Sequence, residues 1–140
     1  MAFFIFDNDG KINKIAADTS ARDAQNVSLT VKETSEDNFI KLKSNTHTAS
    51  LSGDTVSLTE LNQTTELTEE NLKNYHTDII RVIKDFEKAN SSNSMLTACS
   101  NYKNYLETLD YSSLSFPLNS NWEKYCQDNS ITYLHPLQIP

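Results

Sequence analysis

The side chains of this chain that are able to do chemistry are few and far apart. Cys99 and Cys126 are its two cysteines, and His47, His76 and His135 its three histidines. A zinc site needs closely spaced ligand pairs, and these five residues offer none. Two thiols make no disulfide framework, so both are expected as buried free thiols. Cys126 and His135 are the nearest thiol–imidazole pair in sequence. A thiol nucleophile needs a base in hydrogen-bond reach and a third group to orient that base, and no acid is placed for it. His76 lies beside an apolar stripe and is expected as a satisfied boundary histidine. Asp7-Asn8-Asp9-Gly10 shares part of a calcium-loop pattern. The EF-hand frame, however, would set its first acid at Ile5 and its closing glutamate at Ala16, so a plain turn is expected. Glu36-Asp37 and Glu69-Glu70 stand at expected helix starts, where the helix dipole accounts for them. Gly10 and Gly53 are the only glycines, which leaves no Gly-rich phosphate loop. No serine sits in a nucleophile elbow. The expectation is a non-enzymatic chain with no catalytic residue, cofactor, metal or small-molecule substrate.

The elements that carry these residues follow from length and pattern. The chain has 140 residues, 37% hydrophobic and 22% charged, with a net charge of −7. That length fits one compact domain or two small units. The negative balance repels nucleic-acid phosphates and anionic membranes, so neither is expected as a partner. No stretch approaches the roughly 20 apolar residues of a membrane span. The opening Met-Ala-Phe-Phe-Ile-Phe-Asp lacks a basic region and reads as a strand rather than a secretory signal.

The expected fold class is α+β: antiparallel β-hairpins with short helices over residues 1–61, then a helical hairpin and an extended tail over 66–140. Phe3–Phe6 and Lys11–Ile15 flank Asp9-Gly10, a hairpin signal. Ile12 and Ile15 do not share a face of a regular strand, so a bulge or an early strand end is needed. Asp18 to Ser20 offer caps to a short helix through Ala24. Residues 28–33 alternate, with Leu29 and Val31 expected inward. Thr34 to Asp37 cap a helix whose apolar side is Phe39, Ile40 and Leu42. His47–Ser52 and Thr55–Glu60 flank Gly53-Asp54; a two-residue turn there sets Leu51 opposite Val56 and Ala49 opposite Leu58.

Residues 61–66 read as a polar connector, with a seam at 62–65. Thr68 caps the longest helix, to Ala89, with Leu72, Tyr75, Ile79, Val82, Ile83 and Phe86 as its stripe. After Asn90–Ser94 a second helix runs from a Ser94 cap to about Leu109. Met95, Cys99, Tyr102, Tyr105, Leu106 and Leu109 face inward, making a helical hairpin. Asp110 to Leu118 read as extended, since Pro117 disfavours helix before it. Asn119-Ser120-Asn121 start a short helix holding Trp122, Tyr125 and Cys126, ended at Asn129-Ser130. Ile131–Pro140 is apolar, extended and proline-terminated. So hydrophobic a segment docks onto something. The residues expected to carry a protein contact are Trp122, Tyr125, Ile131, Tyr133, Leu134, Pro136, Leu137 and Ile139.

Two stretches, Phe3 through Ala16 and Phe116 through Pro140, together resemble small virion proteins of marine tailed phages. The resemblance implies a structural or assembly subunit of the head, neck or tail. Its partners would be other virion proteins, including copies of itself. It would be made in the host cytoplasm and held in the virion, with its tail buried against a neighbour. The rival expectation is a phage chaperone or host-modulating binding protein that stays out of the particle.

Overall fold

The computed structural model describes residues 1–25, 28–61, 67–118 and 121–140. The fold is α+β, with antiparallel sheets first and helices after. The chain forms two compact units: Met1–Gln63 with Leu137–Pro140, and Thr64–Pro136. Residues 62–66 of the connector expected at 61–66, the seam within it, and the first two residues of the helix start expected at Asn119-Ser120-Asn121 lie outside the described residues.

In the first unit, β1 (Ala2–Phe6) lies between β2 (Ile12–Ala16) and β3 (Thr30–Thr34), antiparallel to both. All five residues of β1 are buried, which explains the dense apolar run: this strand is covered on both faces. A register shift between Ile5 and Phe6 pairs Phe6 with Ile12 while Phe4 pairs with Ile15. The bulge brings Ile12 and Ile15 to the side of Phe4 and Phe6, the phase change that their three-residue spacing demands. In the turn, the Asp7 carboxylate accepts from the amides of Asp9 and Lys11, both at 2.9 Å. Gly10, at φ +79°, passes so close to Leu51 that an added Cβ would collide with the Leu51 carbonyl. The Leu51 amide donates to the Gly10 carbonyl at 2.8 Å, next to a bridge between Lys11 and Ser50. The first hairpin is thereby tied to the second.

That second hairpin, β4 (His47–Ser52) and β5 (Thr55–Glu60), has Leu51 opposite Val56 and Ala49 opposite Leu58. These four pack with Ala2, Phe4, Phe6, Ile15, Phe39 and Leu42 in one core. Helix α1 (Thr19–Ala24) is capped by Asp18, and α2 (Glu36–Lys43) by Ser35. Helix α2 ends on Asn45 at φ +59°, with Thr46 N–H bonded to the Lys41 carbonyl and Asn45 N–H to that of Leu42, a Schellman motif.

Two inward assignments are corrected. Val31 is 39% exposed and Ile40 51% exposed. In β3, an edge strand, Lys32 lies opposite Phe4 and so shares the core face, leaving Val31 on the other side. Its amine reaches the Asp54 carboxylate at 3.2 Å. In α2, Phe39 and Leu42 already define the buried line three residues apart, and Ile40 is turned off it.

In the second unit, α3 (Glu69–Ala89) is capped by Thr68, whose hydroxyl accepts from Asn71 N–H. It packs on α4 (Leu96–Thr108). Leu72, His76, Ile79, Ile83 and Phe86 of α3 and Cys99, Tyr102 and Leu106 of α4 are buried. Helix α4 starts later than its expected Ser94 cap, because Asn93 accepts from Met95 N–H through its side chain and from Leu96 N–H through its carbonyl. Lys103 and Ser100 of α4 both donate to the Glu87 carboxylate of α3 at 2.6 Å. The stretch expected as extended after α4 instead holds a 3₁₀ turn at Tyr111–Ser113. Asp110 closes it by accepting from the amide and hydroxyl of Ser112. Helix α5 (Trp122–Asp128) is capped by Asn121 and ends in a second Schellman motif, with Ser130 at φ +56° and Ile131 N–H bonded to the Cys126 carbonyl. Among the described residues no helix is long and apolar enough to cross a membrane.

Candidate functional site

The eight residues expected to form a contact surface have different fates. Trp122, Tyr133, Leu134 and Ile139 are buried, while Tyr125, Ile131, Pro136 and Leu137 are partly buried. In the second unit the aromatics among them build an internal cluster. The Trp122 indole N–H donates to the Tyr102 hydroxyl at 3.0 Å, and its ring stacks on Tyr125 with centroids 5.1 Å apart. Tyr133 meets Tyr102 edge to face at 6.2 Å and shares a hydrogen bond with the Tyr75 hydroxyl at 3.2 Å. These positions come from three sources: α3 supplies Tyr75, α4 Tyr102, and the chain from α5 onward Trp122 and Tyr133.

His76 sits within this cluster and is 1% exposed, deeper than the boundary position expected of it. Its ring lies edge-on to Trp122 at 4.5 Å, and its Nδ1 shares a 2.7 Å hydrogen bond with the Tyr111 hydroxyl. Nε2 is buried and has no hydrogen-bond partner among the described residues. Burial pulls the imidazole pKa from 6.5 down to about 4. Burial also raises the hydroxyl pKa values of Tyr75, Tyr102 and Tyr133, and pushes the Cys99 thiol up to about 11, Glu87 adding to the rise. Each of these shifts favours the neutral form near pH 7. The arrangement is a neutral, hydrogen-bonded aromatic core that fixes α5 and the Tyr133 segment to α3 and α4.

Beside this core a groove of about 700 Å³ runs along α4 and the segment after α5. Thr97, Ala98, Asn101 and Tyr105 line it from α4, and Ile131 and Thr132 from the other side. The lining is uncharged, with aromatic and aliphatic surface interrupted by hydroxyls and an amide. Of the eight expected residues, Ile131 lies on this groove. Sequence reasoning missed Thr97 and Asn101. They stand four residues apart on α4 and read as a solvated face until Ile131 is brought opposite, whereas Tyr105, read as inward, lines the same groove.

In the first unit Leu137 and Ile139 fill a socket. Ile139 is fully buried and Leu137 packs on the Phe4–Phe6 core. The Lys14 amine donates to the Ile139 carbonyl at 2.5 Å, and the Gln25 amide to the Gln138 carbonyl at 2.9 Å. The sequence groups these residues with the helical part; their apolar side chains and these two donors give them to the β-rich unit instead. Among the described residues no group of three or more His, Cys, Asp and Glu is placed to hold a metal ion. The chain matches no known protein family, no curated protein and no solved structure.

Proposed function

We propose that the protein is a non-enzymatic structural or assembly subunit of a tailed-phage particle, held to a neighbouring virion protein through the groove along α4. The observation that carries the reading is the meeting of the two stretches that resemble virion proteins: Lys14, in the first, donates to the carbonyl of Ile139, in the second. The last four residues of the second stretch, Leu137–Pro140, belong to the same compact unit as the first. The groove supports the contact itself. An uncharged surface with a half-buried tyrosine and isoleucine, edged by hydroxyls and an amide, has the aromatic anchor and polar rim of protein interfaces. The net charge of −7 suits a partner other than nucleic acid.

In this reading the apolar tail acts indirectly. Tyr133 and Leu134 are buried in the chain itself and position Ile131 and Thr132 at the groove. The test is the double substitution Tyr105→Glu with Ile131→Asp, followed by quantitative mass spectrometry of purified particles. The reading expects occupancy to fall at least about tenfold, equivalent to roughly 1.4 kcal/mol of contact, with circular dichroism unchanged. Wild-type occupancy of the folded variant counts against the groove.

A further inference from the structure

Leu137–Pro140 is separated from the rest of its own unit by the whole of the second unit, Thr64–Pro136. It is nevertheless built into the first unit's interior. Ile139 is fully buried, Gln138 is buried, and Leu137 packs against the Phe4–Phe6 core. Two side chains hold its backbone: Lys14 through the Ile139 carbonyl and Gln25 through the Gln138 carbonyl. Both acceptors are main-chain groups. The socket thus recognises a backbone course and two apolar side chains, and none of these contacts depends on the segment belonging to the same chain.

An emptied socket is costly. Gln25 is buried, and its amide and the partly buried Lys14 amine would each lose an acceptor while the apolar lining met water. An identical segment from another molecule restores every one of these interactions, and exchange of identical elements is a low-cost route to dimers. The segment is joined to the second unit through Pro136, which begins a 3₁₀ turn and is only partly buried. Resting on the assembly reading above, the geometry points to Leu137–Pro140 being an exchangeable strap, whose socket of Lys14, Gln25 and the Phe4–Phe6 core takes the same segment from a second copy.

The test uses the full chain, concentrated, warmed briefly below its unfolding transition and followed by sedimentation velocity. A dimer is expected, its fraction rising with concentration. Lys14→Met/Gln25→Leu damages the socket and leaves the strap, whereas Ile139→Asp damages the strap and leaves the socket. Each variant alone is expected to be mainly monomeric. A mixture gives a 1:1 heterodimer, since one sound strap meets one sound socket. A wild-type chain that stays monomeric, an Ile139→Asp chain that dimerises as well as wild type, or a mixture that stays monomeric overturns the proposal. Should either variant lose its native circular dichroism, a peptide of sequence His135–Pro140 added to wild type replaces it. The peptide is expected to cut the dimer fraction several-fold, and an unchanged fraction overturns the exchange. A monomer that still enters particles removes the strap exchange alone; a dimer missing from particles removes the assembly reading alone.

Discussion

The Lys14 amine and the Ile139 carbonyl, 125 positions apart in sequence, meet at 2.5 Å. Lys14 stands opposite Ile5 on β1, so the contact closes over the fully buried strand at the centre of the first unit. Burial lowers the Lys14 pKa, a cost offset by the hydrogen bond that the amine gives the Ile139 carbonyl.

Replacing Lys14 with methionine keeps the stem and removes the donor. The Ile139 carbonyl is then left without it, and the chain should lose about 1–2 kcal/mol of stability. Urea denaturation measures this; an unchanged midpoint means water supplies the carbonyl equally well.

The two glycines should respond differently to alanine. Both have positive φ, +79° at Gly10 and +59° at Gly53, so each substitution carries a backbone penalty of about 1 kcal/mol. At Gly53 no described atom lies within 4 Å of the new Cβ, while at Gly10 it meets the Leu51 carbonyl. Gly10→Ala should therefore be the worse by at least about 1 kcal/mol and should disturb the Leu51–Gly10 hydrogen bond. Thermal melts of the two variants compare them directly.

These elements differ in how far the sequence reveals them. The β4–β5 register is local: a two-residue turn and strict alternation determine it together, so Leu51–Val56 and Ala49–Leu58 are legible in the residues alone. The α3 stripe and the Thr68 cap are legible for the same reason. Val31 and Ile40 are not, because apolar residues at an edge strand and on a helix flank carry no mark of which neighbour is missing. That the apolar segment Ile131–Pro140 docks is legible in the sequence, but the α4 wall and the socket that receive it are not. Thr97 and Asn101 become a wall only once Ile131 lies opposite, and Lys14 and Gln25 become donors only once residues 138 and 139 return to them. The burial of Trp122 and Tyr133 is equally open, since an aromatic-rich segment reads alike as core or as contact surface.

His76 should dominate the acid limb of stability. The unfolded chain takes up its proton near pH 6.5 and the folded chain only near pH 4. Between these values the unfolded state binds more protons, so stability falls as pH drops through this window, by roughly 3 kcal/mol in all. His76→Leu should flatten that slope between pH 6.5 and 4 while costing stability at neutral pH through loss of the Tyr111 hydrogen bond. Denaturant midpoints across pH for both proteins provide the check, and parallel profiles would exclude His76 as the source.

Ser130 occupies the left-handed C′ position of α5 at φ +56°, where glycine has no Cβ penalty. Ser130→Gly should raise stability by about 0.5–1 kcal/mol. A lower melting temperature would show that the serine side chain contributes more than the strain it brings.

The central claim is residence in a particle, and mass spectrometry of gradient-purified particles, from a lysate expressing the chain from its native genome, tests it most directly. The assembly reading predicts peptides of this chain co-sedimenting with particles at a fixed ratio to the major structural protein across the gradient. Peptides confined to the soluble fraction, with none at the particle band, would contradict it.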